Sequence, residues 1–100
     1  MSEPVYEYKH NDNGYLIEIR ILRVDKDSDY PEGIKYSLVA IDRKTKNRVL
    51  GYDNERGKGH HMHRQGREMP YEFTDEWKLV EDFYNEYEKI KRRLKWKLRK

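Results

Sequence analysis

The sequence predicts an α+β fold, an antiparallel β-meander of five to six strands with one long C-terminal amphipathic helix packed on one face. Three observations carry this. Apolar and polar residues alternate from Tyr15 to Ile21 and again from Ile34 to Ala40, the period-two signature of half-buried strands. Asn11-Asp12-Asn13-Gly14 is a tight-hairpin signal between the first two alternating segments. From Trp77 onward the apolar spacing changes to three and four, the period of a helix face.

Each element follows in order. Residues 4–9 and 14–24 pair as a hairpin around Asn13-Gly14, with Tyr15, Ile17, Ile19 and Ile21 on the core side and Glu18 and Arg20 on the wet side. The polar stretch Asp25 to Gly33, interrupted by Pro31, reads as a loop. Ile34, Tyr36, Leu38 and Ala40 make a third strand, and a polar turn over Arg43 to Asn47 leads to a fourth, Arg48 to Asp53. The histidine-rich segment, then Gln65-Gly66 and Tyr71 to Phe73, suggests one more hairpin. Thr74 can cap the helix, with Asp75 and Glu76 in its first turn where negative charge suits the dipole. Trp77, Val80, Phe83, Tyr87, Ile90, Leu94 and Leu98 then form a continuous stripe, expected to pack on Ile17, Ile19, Tyr36, Leu38 and Leu50.

Composition supports a single domain spanning 1–100. Charged residues make up 41% and hydrophobic ones only 35%, but nine tyrosines, two tryptophans and two phenylalanines predict an aromatic-rich core. With no cysteine, disulfides, thiolate metal sites and cysteine nucleophiles are excluded, which points to the cytoplasm. No apolar run is long enough for a membrane span, and the N-terminus has no signal-peptide pattern.

The net charge of +3 hides an asymmetry: residues 89–100, the basic end of the helix, hold eight Lys or Arg and no acid. The rest sets fourteen basic against nineteen acidic side chains, a balance of −5. A basic helix end suits the dipole, and it also suits an anionic partner such as nucleic acid or an acidic protein surface.

The chemistry-bearing residues cluster. Three of the four histidines lie in His60-His61-Met62-His63. If Met62 faces the core of a strand, His61 and His63 share the open face about 6.5–7 Å apart. With Leu50 and Tyr52 in the core, the same parity turns Asp53 to that face. Paired imidazoles with a carboxylate that orients one ring suit proton transfer near neutral pH, as a metal-independent ribonuclease attacking through a 2′-hydroxyl requires. His-x-His with Asp also suits a divalent metal, although no zinc-motif spacing is present. The third reading makes them surface histidines that bind a partner or finish a strand. Arg56-Gly57-Lys58-Gly59 reads either as a flexible hairpin loop or as a contact to a phosphate backbone.

Tyr52-Asp53-Asn54, the following Gly-Lys-Gly, His60-His61-Met62-His63 and Tyr71-Glu72-Phe73-Thr74 together resemble the TumE family of toxins from toxin–antitoxin modules, over about residues 5–90. Met62 stands where that family often has a basic residue. The resemblance implies a small toxin encoded beside a helix-turn-helix antitoxin, without an established reaction. The combined expectation is an RNA-directed toxin. His61 and His63 are its proton-transfer pair and Asp53 the orienter, while Arg56, Lys58, Arg64, Lys91, Arg92, Arg93 and Lys95 are nucleic-acid contacts. No metal or other cofactor is assigned. The alternative is a non-catalytic protein whose basic helix docks on antitoxin or nucleic acid, or pairs with a second copy of the chain.

Overall fold

The structure, a computed structural model, describes residues 2–98 and the side chains of residues 2–93. Its elements are β1 (Glu3–Asp12), β2 (Tyr15–Arg23), β3 (Ile34–Asp42), β4 (Arg48–Asp53), β5 (His61–Arg64), β6 (Arg67–Pro70) and α1 (Glu76–Leu98). The six strands form one antiparallel sheet in sequence order. This is the α+β meander with a C-terminal helix that the alternation predicted. Asn13 and Gly14 both take positive φ, as do Gln65 and Gly66, so each pair makes the turn whose twist matches a two-residue hairpin. The last strand is Arg67–Pro70 rather than Tyr71 to Phe73. Those later residues form the crossing to the helix, held at its start by Tyr71 N–H donating to the His60 carbonyl (3.2 Å).

The core lies between one sheet face and α1. Ile17, Ile19, Ile21, Tyr36, Leu38, Ala40, Leu50 and Tyr52 meet Leu79, Phe83, Tyr87 and Ile90 there. The helix stripe differs from the expected one at its start, where Leu79 is fully buried while Trp77 is 62% exposed. The apolar residues of the first two turns permit two lines along the helix, and the entry angle chooses between them. That angle is set by Asp75, which replaces Thr74 as the cap: its Oδ1 accepts from Trp77 N–H (3.0 Å) and Lys78 N–H (2.8 Å).

Two polar ties hold the helix, one to the crossing that follows β6 and one to the end of β1. Tyr71 hydroxyl and Lys78 Nζ both donate to Asp82 (2.6 and 2.7 Å). Further along, Tyr87 hydroxyl (2.6 Å) and Lys91 Nζ (2.8 Å) converge on Asp12 Oδ2 at the β1–β2 turn. Leu94, Trp96 and Leu98, expected to extend the stripe beyond the sheet, lie outside the described side chains. Among the described residues no helix is long and apolar enough to cross a membrane.

Candidate active site on the open face of the sheet

Strand parity separates the work of β4 and β5. Tyr52 pairs with Met62 on the helix-covered side, and Asp53 pairs with His61 on the other. Asp53, His61 and His63 thereby come together, with one ligand atom from each lying within 4.8 Å of the others. His61 Nε2 is 2.7 Å from Asp53 Oδ1, and the two imidazole rings meet edge to face with centroids 5.0 Å apart. Glu68 of β6 sits at the margin, 3.7 Å from His61 Nε2.

The open face is not uniformly wet, because the His61 side chain is only 7% exposed. Its other nitrogen, Nδ1, lies 3.0 Å from the Gly59 carbonyl. A carbonyl and an ionised carboxylate only accept, so both contacts are satisfied when both ring nitrogens carry hydrogen. Gly57 and Gly59 have positive φ, a conformation glycine adopts without a steric penalty, which lets the short loop return and present the Gly59 carbonyl to the ring. The Arg56–Gly59 segment thus positions His61.

Asn54 completes the scaffold beneath the site. It is 2% exposed, accepts from Tyr36 N–H through Oδ1 (2.9 Å) and donates through Nδ2 to the Ile34 carbonyl (2.7 Å). Its amide continues the β3–β4 ladder past the last backbone pair and satisfies two backbone groups that would otherwise be buried unpaired.

His60 belongs to a separate cluster. Its Nδ1 bonds the Tyr36 hydroxyl (2.9 Å), its Nε2 bonds Glu32 (3.0 Å), and its ring stacks on Phe73 at 4.8 Å. Burial holds the Tyr36 phenol above its ordinary range, so its hydroxyl stays protonated beside the imidazole. His60 ties the β2–β3 loop to the β4–β5 loop.

The expected cations are dispersed. Arg56 turns to Asp29 and Asp27 and lies over the Tyr30 ring. Arg64 is on the helix-covered side, 3.0 Å from Glu86, so the parity that unites His61 with His63 separates Arg64 from both. Lys91 is drawn to Asp12 and Glu88. Lys58, 3.9 Å from Glu55, stays largely exposed. Arg92 and Arg93 are exposed on the helix, and the Lys95 side chain is outside the described set. The arginine that sequence reading missed is Arg48, which lies across Gly51 on the histidine face. A strict alternation of β4 would have placed it beside Leu50 and Tyr52.

The fold and site together define a small α+β protein whose carboxylate–dihistidine cluster stands on a sheet face that α1 leaves open. A family model described as Toxin TumE matches residues 3–94, and the chain belongs to that family of toxins. Such a toxin has an antitoxin as partner. No curated protein and no solved structure matches the chain.

Proposed function

We propose that this toxin acts on the RNA backbone, with His61, His63 and Asp53 as its catalytic group. The observation that carries the reading is the convergence of the three side chains within 4.8 Å on an open sheet face. His63, more accessible than His61, takes the proton from a 2′-hydroxyl as it attacks the adjacent phosphorus. His61 supplies positive charge and the proton for the departing 5′-oxygen, which takes the place of Asp53 Oδ1 as acceptor of the Nε2–H. Asp53 fixes the ring. The products are a 2′,3′-cyclic phosphate and a free 5′-hydroxyl, with every proton accounted for. The inhibiting partner in this reading is a helix-turn-helix antitoxin, and the exposed Arg92 and Arg93 add nonspecific backbone attraction.

A second reading rests on the Gly59 contact. Metal-bound histidines characteristically donate their other ring N–H to a carbonyl or carboxylate. Nδ1–H on Gly59 would leave the Nε2 lone pair facing Asp53 and His63, a donor set suited to zinc or manganese.

Cleavage of total RNA by purified protein, with the product ends analysed, decides between the readings. His63→Ala is expected to lower the rate by roughly 100-fold or more, the scale of general acid–base catalysis. Cyclic-phosphate ends insensitive to chelation support the first reading, while loss of activity in chelator that zinc or manganese restores supports the second. Cleavage that survives both His61→Ala and His63→Ala sinks both.

A further inference from the structure

A β-bulge next to the candidate site changes which residues reach it. Along β3, Ala40 pairs with Leu50 but the neighbouring Ile41 pairs with Arg48, so Val49 is the extra residue. Bulges re-aim side chains, and here the shift puts Arg48 on the face of Gly51 and Asp53, although at three positions' distance strict alternation would put it on the opposite face from Gly51. Gly51 in turn pairs with His63. A Cβ on Gly51 would lie 3.0 Å from Arg48 Cδ, 3.3 Å from Nε and 3.5 Å from Cζ. Gly51 does not need glycine for a positive φ. What its missing side chain provides is room for the Arg48 side chain over the backbone position that pairs with His63. Arg48 makes no ion pair with the described residues, whereas Arg56, Arg64 and Lys91 are each bound to carboxylates.

We infer that Arg48, laid over Gly51, forms with His63 an anion subsite for a phosphate group. Its substrate, a phosphodiester, rests on the RNA reading, while its geometry rests on the bulge alone. A guanidinium offers a planar fork of N–H donors that matches two phosphate oxygens, and His63 faces the same anion from the adjacent strand. Asp53 lies one cross-strand row away from Gly51, and Glu68, the partner of His63 on β6, leans toward His61 Nε2 (3.7 Å). Asp53 is engaged by His61 Nε2 (2.7 Å), which leaves the Arg48 guanidinium as the cation over Gly51 without an ion pair among the described residues. In the proposed cleavage Arg48 holds the scissile phosphate and balances the charge that builds on its oxygens, and it transfers no proton.

The test titrates inorganic phosphate into the full chain and follows the His63 ring resonances by NMR, at fixed ionic strength. Arg48→Ala is expected to weaken phosphate binding by about ten-fold or more, the scale of a charge-assisted hydrogen bond. Arg48→Lys should recover only part of it, since a lysine keeps the charge and loses the fork. Gly51→Ala keeps every charge and displaces the arginine, so it should reproduce the loss with the thermal unfolding transition still cooperative. Phosphate binding by Arg48→Ala equal to the parent, or no phosphate shift at His63 in the parent, overturns the inference whatever becomes of RNA cleavage. Arg48-dependent phosphate binding without RNA cleavage upholds the anion subsite and removes the proposed ribonuclease.

Discussion

The two faces of one sheet are built to different rules. On the covered face, aliphatic side chains of β2, β3 and β4 interlock with Leu79, Phe83, Tyr87 and Ile90, all at most 1% exposed on the helix. On the open face, β1 and β2 exchange charges through Glu7–Arg20 and Lys9–Glu18, and the β4–β5 end gathers Asp53, His61 and His63. Adjacent residues therefore serve opposite ends, with Tyr52 filling the core and Asp53 orienting an imidazole. Stability and chemistry occupy alternate positions of the same strands, so each can be altered with little change to the other.

The largest expected effect falls on the covered face. Phe83→Ala should cost about 3–5 kcal/mol, the range for deleting a buried aromatic ring. Denaturant titration measures it. A loss below about 1 kcal/mol, the size of a typical average substitution, would mean the helix is not the lid of the core.

A smaller effect tests the tie between helix and hairpin. Hydrogen bonds from Lys91 and then Tyr87 hold the Asp12 carboxyl below its ordinary value of 3.8. Because the unfolded chain then takes up the proton first, this contribution is complete above the ordinary value and disappears as pH falls through the lowered one. Asp12→Asn should be less stable than the parent at neutral pH and should lose less stability on acidification below about pH 4. Parallel acid-unfolding curves for the two proteins would show that the tie contributes nothing.

The smallest expected effect on stability comes from deleting residues 92–100, which spares Lys91 and the whole buried stripe through Ile90. Unfolding should remain cooperative, while binding to antitoxin or RNA weakens and loses much of its salt dependence. Loss of cooperative unfolding would place the tail in the core, and unchanged binding would remove its docking role.

Sequence pattern was sufficient where the rule is local. Alternation alone put Ile17, Ile19, Leu38, Leu50 and Tyr52 inside, and the same parity grouped Asp53 with His61 and His63, because successive side chains on a strand must point to opposite faces. The helix stripe was legible from Phe83 to Ile90 and misread at Trp77, where the cap and the crossing from Tyr71 set the rotation of the first turn. His60 stands next to the pair in the same histidine run, and its partners Glu32, Tyr36 and Phe73 come from other segments of the chain.

By itself, then, the sequence determined strand order, hairpin turns, the presence of the helix and the shared face of Asp53, His61 and His63, since turn chemistry and side-chain period act over a few residues. Only the tertiary structure decided that Gly59 presents its carbonyl to His61, that Arg56, Arg64 and Lys91 are held by carboxylates, and that a bulge at Val49 carries Arg48 to the histidine face. The reason is that a bulge is defined against the partner strand and an ion pair against a distant carboxylate, and neither relation is written in the spacing of neighbouring residues.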